Sequence, residues 1–408
     1  MYPTAYGAER SFKNHRDFTH QNWSDGGEIM HYAFLHMPEF FRHAVVHRAG
    51  SVADLPSNPR DDIASLAVET NLGRMTLDQY VQTAPVNGVV VAQGGEIVYE
   101  RYPRMRPHDK HLLMSVSKVF VSTVVGILED RGLIDTSEPI ERYLPEVRGS
   151  GWEGVAVQDA LDMCSGIDCL EIGIDGAYSD PATCYYQFEA SLDWLAKTAD
   201  TPESTYGFIA SLWRGREPGE VYEYTGPNTF IQSWLAERIT GKPFAEIVSD
   251  LFWSKIGAES DAMLSISREG APAGHGGIST TVRDLARFGL LFTPSWSVVA
   301  EEQVISDRFL EKIQHGGRRH IVDLTGSDQP VGTGFGDERP RHSTYQWNFV
   351  FEDGDFYKGG YGGQGLYISP SRDLVIAYTG TPGEDKESNK LRYVARQLAR
   401  SGLIRNVV

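Results

Sequence analysis

Ser115-Val116-Ser117-Lys118 opens an apolar-periodic stretch that runs to Asp130-Arg131-Gly132, and it is the only S-x-x-K tetrad in the chain. Val116, Val119, Phe120, Val124, Ile127 and Leu128 recur at helical spacing and Gly132 follows as a C-cap. The pattern predicts a buried helix with Ser115 and Lys118 one turn apart on one face. A serine hydroxyl at neutral pH is a poor nucleophile until a neighbouring base takes its proton. Lysine serves as that base only when neutral, and both burial and the positive end of a helix dipole favour its neutral form. Backbone N–H groups of the same turn are suited to hold an oxyanion. Taken alone, the tetrad reads more readily as a serine N-cap followed by an exposed lysine.

Composition narrows the classes. The 408 residues are 41% hydrophobic with a mean hydropathy of -0.33, enough for a large core and for two lobes rather than one. The balance of 38 Lys+Arg against 55 Asp+Glu gives a net charge of -17, which repels nucleic acid and anionic membranes. The opening Met1-Tyr2-Pro3-Thr4-Ala5-Tyr6-Gly7-Ala8-Glu9 lacks a basic n-region followed by an apolar core, and no run of 18 apolar residues occurs. A cytoplasmic protein with no membrane partner is expected.

Three cysteines, Cys164, Cys169 and Cys184, fall in one short segment. The odd number argues against a disulfide framework, so reduced, buried, structural thiols are expected. Nothing around Met163-Cys164-Ser165-Gly166 lowers a thiol pKa. His43 and His47 are spaced to share a helical face, but no H-E-x-x-H and no carboxylate at zinc-motif spacing accompanies them, so no metal is expected. Gly360-Tyr361-Gly362-Gly363-Gln364-Gly365 fits G-x-G-x-x-G, yet the following Leu366-Tyr367-Ile368-Ser369-Pro370 is strand-like where a dinucleotide fingerprint needs a helix. Neither G-x-x-x-x-G-K-[ST] nor G-x-S-x-G is present. No cofactor is expected.

Along the chain, residues 1–75 read as an N-terminal extension with a helix around Glu28 to Phe41. Gly88-Val89-Val90-Val91-Ala92 and Glu96-Ile97-Val98-Tyr99-Glu100 flank Gln93-Gly94-Gly95 as a hairpin. Residues 151–264 carry helical signals (Asp159-Leu161-Met163, Leu192-Trp194-Leu195, Ile231-Leu235-Ile239) with long connections. Strands return at Gln346 to Phe351, Asp355 to Lys358, Gly365 to Ile368 and Leu374 to Tyr378, and a helix from Glu384 to Ser401 closes the chain. The expected architecture is α+β: an antiparallel sheet flanked by helices, formed by residues 76–150 and 265–408, with a mostly helical lobe of residues 151–264 inserted.

The order of motifs resembles a known family. Ser115-x-x-Lys118 is followed by Pro218-Gly219-Glu220-Val221-Tyr222-Glu223-Tyr224-Thr225-Gly226. Then come Gly276-Gly277-Ile278-Ser279-Thr280-Thr281-Val282-Arg283-Asp284-Leu285-Ala286-Arg287-Phe288 and Lys358-Gly359-Gly360-Tyr361-Gly362-Gly363-Gln364. From about Gly88 to Tyr378 the chain is similar to the serine β-lactamase and penicillin-binding-protein-like hydrolases, in their class C branch. The Gly-Gly-Gln ending and the segment Trp23 to His47 resemble in particular the 6-aminohexanoate-dimer (nylon oligomer) hydrolases and related carboxylesterases.

The resemblance implies that Ser115 is the acylated nucleophile, Lys118 its activating partner, and Tyr224, matching the tyrosine of a Y-x-N element, the proton relay. A neighbouring ammonium is expected to lower the Tyr224 pKa. Lys358-Gly359-Gly360 takes the place of K-T-G, and the N–H groups of Ser115 and Tyr361 would form the oxyanion hole. Tyr178, Lys358, Gly359 and Gly360 would contact substrate. His275, Gly276, Gly277 and Asp284 match a segment that is architectural. Two departures, Gly226 for the Asn of Y-x-N and Gly359 for the Thr of K-T-G, argue against antibiotic hydrolysis. The implied activity is hydrolysis of a linear amide, or of an ester, through acyl-Ser115. Acyl transfer, β-lactam hydrolysis and a penicillin-binding sensor that does not turn over are the alternatives. The partner is a small molecule, a homodimer is the commonest assembly, and Trp194, Trp213 and Tyr185-Tyr186 are candidate pocket aromatics.

Overall fold

The computed structural model describes residues 7–323, 335 and 338–407; Met1 to Tyr6, part of the stretch read for a leader, lie outside them. Met114–Ser117 is a tight 3-10 turn that feeds the helix Lys118–Asp130. Ser115 therefore sits on the turn rather than in the helix. Every residue from Lys118 to Glu129 is buried, so the helix is enclosed on all sides.

Seven antiparallel strands form the main sheet, in the order Glu96–Arg101, Val86–Gln93, Leu374–Gly380, Gln364–Ser369, Phe356–Gly360, Trp347–Val350, His342–Thr344. The expected hairpin is its first two strands, and it joins the C-terminal part through Val90 opposite Ala377. Side chains alternate between two cores, as a two-residue period requires. Val90, Ala92, Leu366, Ile368, Val375 and Ala377 face the core on the side covered by the helix Val282–Leu290. Val89, Val91, Tyr367, Leu374 and Ile376 face the other way, with side chains of the helices Leu77–Thr83 and Leu391–Ala399. The apparent nucleotide motif is the turn between the strands Phe356–Gly360 and Gln364–Ser369.

A second antiparallel sheet runs His43–Val46, Ala262–Ser265, Ile278–Thr280, His111–Leu112. His43 and His47 thus belong to a strand and its exit rather than to a helical face; the run Ala44-Val45-Val46 pairs with Ala262 to Leu264. Residues 151–264 contribute the helices Val157–Leu161, Cys184–Ser191, Thr205–Ala210, Gly226–Thr240 and Phe244–Leu251.

Several boundaries differ from expectation for identifiable reasons. The Glu28 helix spans Gly27–Leu35 and stops short of Pro38, which falls in a 3-10 turn. Leu192-Trp194-Leu195 lies past the end of Cys184–Ser191, where Asp193 turns left-handed at φ 67°. The closing helix is only Leu391–Ala399: Asn389 accepts from the Leu391 N–H at 3.1 Å and donates to Gly363 O at 3.0 Å, tying the preceding segment to the sheet.

The expectation of three reduced thiols is corrected: Cys169 and Cys184 form a disulfide with Cα atoms 5.2 Å apart. The connection between them doubles back onto the start of the Cys184–Ser191 helix, a closure that residue spacing does not reveal. Cys164 is free and buried, and burial pushes its thiol pKa up, leaving it inert. Among the described residues no helix is long and apolar enough to cross a membrane, and no group of three or more His, Cys, Asp or Glu is placed to hold a metal ion.

Candidate active site

Ser115 faces a crevice of about 900 Å³. Immediately before it, Met114 adopts φ 46°, a left-handed conformation costly for a residue with a Cβ and tolerated where the surroundings fix it. The turn is held by Ser117, whose Oγ accepts from the Ile278 N–H at 3.0 Å. Lys118 enters the helix behind Ser115 and is completely buried. Its Nζ donates to Ser115 Oγ at 3.2 Å and to His275 O at 2.9 Å.

Tyr224 stands just before the helix Gly226–Thr240, and its ring lies between two lysines, with Lys118 Nζ 4.8 Å and Lys358 Nζ 4.7 Å from the ring centroid. Lys358 Nζ donates to Tyr224 Oη at 3.2 Å, and Ser115 is also within hydrogen-bonding reach of the phenol. Lys358 is fully buried on an interior strand of the sheet. It is absent from the crevice lining, which includes Tyr178, Gly359, Gly360 and Tyr361.

Burial governs the proton affinities. It lowers the Lys118 pKa, and the carboxylates of Glu171 and Glu189 offset this only in part. Lys358 is held well below the ordinary lysine value by burial and then by the charge of Lys118. Tyr224 is pushed well above the ordinary phenol value by burial and then by Glu171. That reverses the expected lowering: two lysines whose own charged forms are disfavoured cannot stabilise a phenolate. In the resting site Tyr224 is a neutral phenol able to give a proton, and Lys118 is a lysine biased toward the free amine.

The strand end bearing Gly359, Gly360 and Tyr361 packs directly on the Ser115 turn. A Cβ on Gly360 would lie 2.5 Å from Leu113 O, so only glycine allows this approach. Gly359 N–H donates to Asn348 Oδ1 at 3.2 Å. Tyr178, half exposed, donates to Glu171 Oε1 at 2.8 Å.

Sequence reasoning missed Glu171, whose Oε2 lies 3.8 Å from Lys118 Nζ, and Glu189, whose Oε1 is 3.1 Å from His275 Nε2. No motif or periodicity marks either. The one available signal is physical: a lysine buried beside a serine needs carboxylates near it. Of the candidate aromatics, Trp194 and Tyr185 line the crevice, whereas Trp213 is 75% exposed and outside it, and Tyr186 turns to Ala196 O. His275 and Asp284 differ in kind. Asp284 accepts from the Glu259 and Ser260 N–H groups, far from chemistry, while the His275 carbonyl holds Lys118.

Residues 74–400 match the β-lactamase family model. The chain is 32% identical over 379 residues to the 6-aminohexanoate-dimer hydrolase of Paenarthrobacter ureafaciens, covering 92% of this chain and 89% of that protein. A solved structure from Bacillus anthracis, provisionally described as a 6-aminohexanoate-dimer hydrolase, superposes with a TM-score of 0.76 at 23% identity over 98% of this chain and 97% of that one. Another, a hydrolase with promiscuous acyltransferase activity, gives 0.58 at 13% identity over 79% and 95%. At these identities the two structures speak to the fold, which is the expected α+β arrangement.

Proposed function

Because the chain belongs to the β-lactamase family of hydrolases, we propose that it cleaves a linear amide, or an ester, through an acyl group carried on Ser115. The observation that carries this is the buried Lys118 amine 3.2 Å from Ser115 Oγ, with Tyr224 held across the same site by Lys358. Ser115 Oγ attacks the substrate carbonyl carbon as its proton passes to Lys118. The negative charge formed on the carbonyl oxygen is received by the N–H groups of Ser115 and Tyr361. The C–N or C–O bond then breaks as the Tyr224 hydroxyl gives its proton to the leaving atom and regains one from the Lys118 side. Water attacks the acyl-Ser115 carbonyl, its proton returns through the same groups, and the acid leaves.

The crevice is assigned to the junction of residues 76–150 and 265–408 with the helical residues 151–264, and Tyr178, Gly359 and Gly360 to substrate contact. Lys358 acts on Tyr224 rather than on substrate. Linear amides rank first because the curated relative's name gives that class, with esters beside them because both reactions share one tetrahedral intermediate. A cytoplasmic location sits badly with the Cys169–Cys184 disulfide, since reducing compartments keep thiols open.

Release of nitrophenolate from p-nitrophenyl butyrate tests the assignment. Wild type should turn over steadily and Ser115→Ala should not; equal rates in the two proteins would sink it. A burst without turnover would instead mark a sensor, and faster release with added alcohol or amine an acyltransferase.

A further inference from the structure

Besides Glu171 Oε2, which faces Lys118 Nζ at 3.8 Å, three residues lining the crevice carry buried side-chain atoms that close no hydrogen bond: Tyr185 Oη, Glu189 Oε2 and His275 Nδ1. Buried polar atoms without partners are rare, because each gives up its hydration for nothing. Several around one cavity leave room for the donors and acceptors of a ligand.

Tyr185 is the member built into this site most firmly. It is 1% exposed, on the helix Cys184–Ser191, with its ring edge-on to Tyr178 at 5.2 Å between centroids. Its hydroxyl can both donate and accept, as the two carboxylates cannot. Burial first, then the charges of Glu171 and Glu189, keep it protonated. Its position is tied to Gly226, two residues past Tyr224. A Cβ there would lie 2.9 Å from Tyr185 Oη, 2.7 Å from Phe188 Cε1 and 3.2 Å from His275 Cδ2. The missing side chain at 226 and the hydroxyl of Tyr185 are thus two halves of one feature: the space beside Tyr224 is filled from the facing helix by a phenol.

Resting on the Ser115 reading above, we propose that Tyr185 is a specificity-determining residue whose hydroxyl hydrogen-bonds a polar group, typically an amide, that the substrate carries near the reacting carbonyl. An apolar ester has nothing to offer this hydroxyl. An amide-bearing substrate satisfies it and gains rate.

Tyr185→Phe removes the hydroxyl alone. The test compares kcat/KM for p-nitrophenyl butyrate and p-nitrophenyl 4-acetamidobutyrate, which carries an amide beyond the reacting carbonyl, with the Tm of both proteins. The variant should lose about tenfold or more on the acetamidobutyrate and less than about twofold on the butyrate. Its Tm should be unchanged or higher, since the hydroxyl faces Glu189 without closing a hydrogen bond and so adds little to the fold. A parallel loss on both substrates, a loss on neither, or a lowered Tm would overturn the proposal. Failure of wild type to exceed Ser115→Ala on the butyrate would remove the parent reading and this one with it, which separates the two failures.

Discussion

At Lys118 burial and carboxylate charge pull in opposite directions, and burial wins. The base form predominates above the lowered pKa, so kcat/KM should rise with pH along a limb centred below the value of a free lysine, 10.5. Glu171 works against that lowering, so Glu171→Gln should move the limb to lower pH; a limb that stays or moves upward in a pH–rate profile contradicts the assignment. Tyr224 makes a different demand. Nitrophenolate leaves without a proton whereas an amine does not, so Tyr224→Phe should cost about 10²–10⁴-fold on a linear amide and much less on p-nitrophenyl butyrate. Equal losses on both would place Tyr224 in the architecture instead. Ser115, Lys118 and Tyr224 were legible because family motifs mark them, and Tyr185 only as one of several candidate aromatics. Glu171 and Glu189 were not, because they sit in a connection and a short helix whose course depends on contacts remote in sequence.

At the scale of elements, the disulfide closes the connection that carries Glu171 and Tyr178 to the crevice. Cross-linking residues 15 apart is worth about 3 kcal/mol through the entropy of the unfolded chain. Urea denaturation of Cys184→Ser should show a loss of that order, together with a raised KM as the loop loosens. An unchanged midpoint would mean the thiols are not joined. The helix Lys118–Asp130 and the sheet strands were readable because their apolar periods, 3.6 and 2, run long enough to be unambiguous. Short helices ended by a left-handed residue such as Asp193, and the strand holding His43, lacked that length. In the latter, four residues fit either period.

Over the whole molecule, the two cores meet at a sheet whose faces are both covered, and polar groups inside must be satisfied in one protonation state. His111 shows this. It is fully buried, its Nδ1 on Leu112 O at 2.8 Å and its Nε2 on Asn87 Nδ2 at 2.7 Å, an arrangement that fits only the neutral ring. Burial brings its pKa from 6.5 down to about 3. The unfolded chain therefore binds the extra proton first, and stability should fall as pH drops from about 6.5 towards 3. Urea midpoints across that range should decline more shallowly in His111→Gln than in wild type; parallel slopes would exclude the histidine as the cause.

The claim on which the account turns is that Ser115 becomes acylated. Wild-type protein mixed briefly with p-nitrophenyl butyrate, quenched in acid and digested, should yield one butyrylated peptide, the one containing Ser115, by mass spectrometry. A butyryl group on any other residue, or the same labelling in Ser115→Ala, would contradict it.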